Sequence, residues 1–170
     1  MFKVLTEGCE PTKGTKYSAC VDLYASEDVV IGAGETAIVG LGVCIDSNQL
    51  FDNTIFKHGV YTRDAFLSRH YLALHPRSSL RAKGLIANTG IIDLDYQDEI
   101  KIIIHNPLHY IYEENSNGTW SRSTISESSF IIKKGDRIAQ IMLCEHKSYM
   151  FGIESEDERN GGFGSSRGNE

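Results

Sequence analysis

Proline is scarce, with three residues in 170, which excludes a polyproline linker or a proline-rich recognition tract. Long apolar runs are missing as well. No stretch approaches the ~18 consecutive apolar residues of a membrane-spanning helix. The opening MFKVLTEGCE lacks a basic segment followed by an apolar one, the mark of a secretory leader. The expectation is a chain of the cytoplasm or another intracellular compartment, with no membrane partner. Positive charge is in deficit: 17 Lys and Arg face 23 Asp and Glu, a net charge of −6. Such a chain lacks the global field behind nonspecific duplex binding, so no nucleic-acid partner is expected. Close cysteine pairs are absent too. Cys9, Cys20, Cys44 and Cys144 form no C-x-x-C metal or redox pair and read as small buried thiols of a reduced protein. The six histidines (His58, His70, His75, His105, His109, His146) show no H-x-x-x-H spacing, and His75 and His105 read as structural residues of strand-like runs. No G-x-S-x-G, P-loop or dinucleotide fingerprint occurs, and Ser78 and Ser79 have no sequence-evident base, which argues against a serine nucleophile.

What is present suffices for a packed core. The apolar fraction is 41% and the charged fraction 24%, ordinary for a globular chain and too apolar for disorder throughout. The length suits one domain. Sixteen glycines point to many tight turns. Short strands are expected at 2–5, at 19–24 (where Ala19, Val21 and Leu23 alternate), at 29–31 and at 36–45, with G-A-G-E at 32–35 as a hairpin-type turn. The pattern loosens at 46–70, where TRDAFLSRH suits one or two helical turns capped by Thr62. Further strands are expected at 71–75, 85–92, 99–105 and 108–113, and two more about the K-G-D turn of 130–143. The stretch 114–129 reads as a surface excursion. From Gly152 the chain turns to Gly, Ser and charge, which on composition alone is a flexible tail. Many short strands with turn signals indicate an all-β barrel or sandwich.

Four clusters carry chemistry. Pro76-Arg77-Ser78-Ser79 sets guanidinium donors beside two hydroxyls at a strand end, a mix that suits phosphate oxygens. Gly135 to Gln140 adds a side-chain amide. Gly161 to Ser166 offers closely approachable backbone N–H groups, two hydroxyls and the Phe163 ring. Asp93, Asp95 and Tyr96 share a turn, where a carboxylate is placed to partner a metal or to activate water. Each cluster alone is a weak signal.

Their order is specific. Ala19-Cys20-Val21-Asp22-Leu23 resembles A-G-x-D-L, and Pro76 to Gly84 reads P-R-S-S-L-R-A-K-G. Gly90 to Tyr96 resembles G-[VI]-I-D-x-D-Y, Gly135 to Gln140 reads G-D-R-I-A-Q, and Arg159 with Gly161 to Ser166 resembles R-x-x-G-G-F-G-S-[TS]. In this order, over residues 3 to 168, the chain resembles the homotrimeric dUTP nucleotidohydrolases, the dUTPases. It departs from their pattern at Cys20 (usually Gly), at Asp98 (usually Gly), and at Asn160, which alone separates Arg159 from the glycine pair.

The resemblance implies an all-β, distorted jelly-roll barrel over residues 1–151, assembled as a homotrimer with shared active sites. Insertions would lie at about 46–70 and 107–129, both offering room for a protein partner, and 152–170 would be a flexible lid. It implies hydrolysis of dUTP to dUMP and pyrophosphate with Mg²⁺ held mainly by the substrate phosphates and, through water, by Asp22. Asp93 would activate the water. Arg77, Ser78 and Gln140 would donate to the phosphates. Tyr96 would pack against the deoxyribose, and Asn88, Gly90 and Ile92 belong to the uracil-reading hairpin. Phe163 would stack on uracil, with Arg159, Gly164, Ser165 and Ser166 closing over the nucleotide. Two other readings are a dCTP deaminase relative, whose catalytic glutamate would fall at Ile103, and an inactive regulatory or binding protein of the same fold.

Overall fold

The computed structural model describes residues 1–52, 62–107, 110–124 and 129–153. Short strands dominate them: β1 (Phe2–Val4), β2 (Val21–Tyr24), β3 (Val29–Ile31), β4 (Thr36–Gly40), β5 (Val43–Ile45), β6 (His70–Pro76), β7 (Ile86–Ala87), β8 (Gly90–Asp93), β9 (Lys101–His105), β10 (Tyr110–Glu114), β11 (Trp120–Thr124), β12 (Phe130–Ile132) and β13 (Arg137–Glu145). Three helices of one or two turns interrupt them: α1 (Ser47–Asp52), α2 (Arg63–Leu67) and α3 (Ser78–Ala82). The fold is all-β, as the spacing of apolar runs and turns predicts.

The largest sheet has the order β2-β13-β6-β8 and a second has the order β4-β9-β7; the remaining strands pair as β1-β5, β3-β12 and β10-β11. Every pairing is antiparallel. The two larger sheets share one core, to which Leu23, Leu72 and Ile141 come from the first and Val39, Ile102 and Ile104 from the second. The alternating burial of β9 follows from Ile102 and Ile104 facing inward while Lys101, Ile103 and His105 face out. Layered antiparallel sheets of this kind are the jelly-roll solution to burying two apolar faces.

The hairpin expected at Gly32–Glu35 proves to be a corner. The strands flanking Gly32–Glu35 part company, β3 pairing with β12 and β4 with β9. The turn is tight because the Gly32 N–H donates to Glu35 Oε2 at 2.9 Å and Gly34 takes a φ of 81°. Asn106 ties this corner to the end of β9. Its backbone N–H donates to the Glu35 carbonyl at 2.9 Å, its carbonyl accepts from Gly34 at 2.7 Å, and its side-chain amide donates to the Ile31 carbonyl at 2.9 Å. The K-G-D turn behaves alike: β12 joins β3, while β13 lies between β2 and β6. The strand expected at 108–113 appears as β10, and the stretch expected as a surface excursion supplies its partner β11, the hairpin closing at the Asn115–Thr119 turn.

Thr62 caps α2 as expected, accepting from the Ala65 N–H at 3.2 Å. Behind that helix Phe66 is fully buried, its ring stacked on His70 at 4.5 Å. All four cysteines are free thiols, Cys9 and Cys44 buried. Among the described residues no helix is long and apolar enough to cross a membrane.

Candidate active site

A cavity of about 280 Å³ opens where β2, β13 and the end of β6 converge, lined by Gly14, Ser18, Ala19, Cys20, Asp22, Arg77 and Gln140. Its outer wall, the loop before β2, is held down by a two-way bridge. The Asp22 N–H donates to the Thr12 carbonyl at 2.7 Å and the Thr12 N–H to the Asp22 carbonyl at 3.2 Å. Within the loop, Ser18 Oγ accepts from the Thr15 N–H at 2.8 Å.

The floor depends on an irregularity in β13. Its pairing with β2 slips between Arg137 (opposite Tyr24) and Ala139 (opposite Leu23), so Ile138 is a bulged residue. A strand otherwise sends residues 137 and 140 to opposite faces; one extra residue brings both to the same side. The burial pattern records the phase change, with Ile138 and Ala139 buried in succession. The freed Ile138 carbonyl accepts the Arg77 N–H at 2.9 Å, which fixes the backbone of Arg77 just past β6. Arg77, Arg137 and Gln140 are thereby gathered around Asp22, which faces Gln140 directly in register.

Asp22 is the centre of this group. Its side chain is 4% exposed, and each carboxylate oxygen meets a different arginine. Arg77 Nη1 donates to Oδ1, and Arg137 Nη1 donates to Oδ2 at 3.4 Å. A buried carboxylate persists as an ion only with such partners. One negative and two positive charges leave the cluster cationic by one, a local reversal of sign in a chain of net charge −6. Guanidinium forks beside a side-chain amide suit anionic oxygens such as phosphate. Asp22, expected to face the water shell of a metal, is the counter-ion of two arginines. Ser78 stands exposed at the start of α3, beside Arg77.

The second group lies at the other end of the same sheet. Asp93 closes β8, exposed, opposite Tyr71, and the Tyr96 N–H donates to its carbonyl at 3.1 Å. Tyr71 lies opposite Cys144 on β13, whose hydrogen bond pushes its phenol pKa up. Tyr96 is 7% exposed, and its hydroxyl donates to the Glu99 carbonyl at 3.2 Å, so its ring is part of the core. Gly90 and Ile92 are half-buried in β8, facing Leu74 and Leu72. Asn88 is exposed, with its N–H on the Ile103 carbonyl at 3.2 Å. Asp93 lies level with Tyr71, and Arg77 follows six residues further along β6. At ~3.3 Å per residue the two are on the order of 20 Å apart within one chain. Arg159, Phe163, Gly164, Ser165 and Ser166 lie outside the described residues.

Among the described residues no three His, Cys, Asp or Glu side chains converge to hold a metal ion. With Asp22 already neutralised, the cavity does not fit a resident Mg²⁺; it fits an anion that brings its own cation. Arg137, Gly14 and Ser18 escaped sequence reasoning as site residues. A cue for Arg137 existed, a second arginine three residues before Gln140, but only the bulge makes them neighbours.

A dUTPase family model matches residues 58–112. The chain is 33% identical to the deoxyuridine 5'-triphosphate nucleotidohydrolase of Candida glabrata over 164 residues, 93% of this chain and 88% of that protein. It is 32% identical to that of Debaryomyces hansenii over 134 residues, 78% of this chain but only 61% of the relative's length. Among solved structures, a mutant dUTPase from phage phi11 of S. aureus, which revealed the coordination of a structural Mg(II) ion, superposes with a TM-score of 0.58 at 20% identity, covering 97% of this chain and 98% of that one.

Proposed function

The chain belongs to the dUTPase family, and from that premise we propose that it is a dUTP nucleotidohydrolase releasing dUMP and pyrophosphate. The observation that carries the reading is the cavity of Asp22, Arg77 and Gln140, built from three separate segments of the chain, with Arg137 at its rim giving the cluster its net positive charge. Arg77, Ser78 and Gln140 donate to the phosphoryl oxygens as charge grows on them. Asp93 takes a proton from the attacking water, whose oxygen bonds to the α-phosphorus. The bond from that phosphorus to the α–β bridging oxygen breaks, and pyrophosphate departs. An exposed carboxylate at a strand end is suited to that task, since it needs only hydrogen-bond reach to a fixed water. Backbone groups from Asn88 through Gly90 and Ile92 read the uracil edge, and the small exposed part of Tyr96 meets the deoxyribose, leaving no room for a 2′-hydroxyl.

Mg²⁺ belongs to the substrate in this reading: it arrives on the triphosphate and neutralises part of its charge. The separation of Asp93 from Arg77 along β6 supports a homotrimer in which different subunits complete each site. Residues 1–151 form the barrel domain, with insertions at about 46–70 and 107–129. Residues 152–170 form the lid, where Phe163 stacks on the base and Arg159, Gly164, Ser165 and Ser166 meet the phosphates. The 107–129 insertion, with Trp120 65% exposed, is the surface offered to a protein partner. A deaminase is disfavoured by Ile103, an apolar residue at the position of that family's glutamate.

Pyrophosphate release from dUTP, dCTP, dTTP and UTP, with and without Mg²⁺, tests the reading when joined to a mass measurement of the assembly. Expected are Mg²⁺-dependent turnover of dUTP alone, a trimer, and near-complete loss of turnover in Asp93→Asn with nucleotide binding intact. Absence of dUTP turnover in the wild type, or full turnover in Asp93→Asn, overturns it.

A further inference from the structure

We propose that Arg137 is a positioning residue, which shares the Asp22 carboxylate with Arg77 and thereby keeps Arg77 pointed into the cavity. The inference rests on the reading of that cavity as a phosphate site.

A guanidinium beside a solitary carboxylate favours the bidentate arrangement, two parallel N–H···O bonds that occupy both oxygens. Arg77 does not adopt this geometry: its Nη1 holds Asp22 Oδ1, while Oδ2 is met by Arg137 Nη1 at 3.4 Å. Arg77 is thus held by one edge only, and the rest of its donor fork remains on the cavity it lines. The β13 bulge is what lets Arg137 compete, since it carries residues 137 and 140 to the same side as Asp22. Exposure fits the division of labour. The Arg77 side chain is 31% exposed against 53% for Arg137, which sits at the rim outside the cavity lining. Without Arg137, the Arg77 fork rotates to close on both Asp22 oxygens and withdraws a donor from the ligand. With it, the carboxylate charge is divided and the net positive charge faces the phosphate. Asp22 acts through Arg77, as the post on which that arginine is hung.

A double-mutant cycle tests this, with inorganic tripolyphosphate as the binding probe on the full-length protein and calorimetry as the readout. Arg137→Gln weakens tripolyphosphate about tenfold, the worth of one charge-assisted hydrogen bond. The KM for dUTP rises in parallel while thermal stability stays near wild type. Arg137→Lys restores most of the affinity, because an ammonium on Oδ2 again blocks the bidentate geometry. In the Arg77→Ala background, Arg137→Gln costs nothing further. Equal losses in both backgrounds overturn the proposal, for Arg137 then touches phosphate itself or acts as a remote charge. Unchanged affinity in Arg137→Gln overturns it too, as does a wild type that fails to bind tripolyphosphate. Failure of the enzymatic reading looks different: tripolyphosphate binds and the cycle couples, but dUTP is not cleaved.

Discussion

Crossing two inactive variants measures how the site is assembled. Asp93→Asn removes the base and Arg77→Ala removes a phosphate donor, and each homogeneous preparation is expected to be nearly dead. The residues sit at opposite ends of β6, on the order of 20 Å apart by strand rise. A triphosphate bound at one of them falls short of the other in a single chain, and the proposed shared site would draw them from different subunits. In an equal mixture after subunit exchange, a site takes its Asp93 from an Arg77→Ala chain in about half of cases. Its Arg77 comes from an Asp93→Asn chain in about half of cases. The product predicts recovery of about a quarter of wild-type turnover. The assay is pyrophosphate release after co-refolding, with native mass spectrometry to verify mixed assemblies. Verified mixed assemblies with no more activity than the parents would refute the separation argument.

Other consequences are checked more simply. Truncation before Gly152 leaves the thirteen strands of the described residues, the last of which ends at Glu145; folding by circular dichroism is expected to survive while turnover falls at least a hundredfold for want of the proposed lid. Gly42 has φ +65°, and a Cβ there would lie 2.7 Å from the Cys9 Cβ. Gly42→Ala is therefore expected to cost about 1–3 kcal/mol in urea unfolding, with wild-type stability as the refuting result. Asp28 has its pKa lowered, chiefly by the Lys133 ammonium at 2.8 Å and then by the Lys134 N–H. A lowered carboxylate pKa stabilises the fold above the ordinary aspartate value of about 3.9, and that contribution is lost as pH falls toward the folded value. The stability gap between wild type and Asp28→Asn should close on acidification through that window; a pH-independent gap contradicts it.

Local signals were legible where local chemistry decides. The strand β9 and the Thr62 cap of α2 appear in the structure as the residues suggest. Helix α1 went unexpected, although Asp46 and Gln49 have the spacing of a capping box and the Gln49 N–H donates to Asp46 Oδ1 at 2.9 Å. The hairpin at Gly32–Glu35 failed for a different reason: the turn looks like a hairpin turn, but pairing is chosen by distant strands, and Asn106 lies some seventy positions beyond it. The motif residues of the site were visible as residue types in order. Their grouping was not, because it depends on a bulge at Ile138 that no local residue announces.

Asn106 also decides what this scaffold tolerates. Just past β9, three hydrogen bonds anchor it to the Ile31–Glu35 corner. Chain emerging after Pro107 starts from a fixed post and comes back to β12, which is itself fastened to β3. Between those moorings, length can be added or removed at an entropic cost that grows only with the logarithm of the span. The Ile31–Glu35 corner and the β3–β12 pair thus stay moored whatever the length of the segment strung between them.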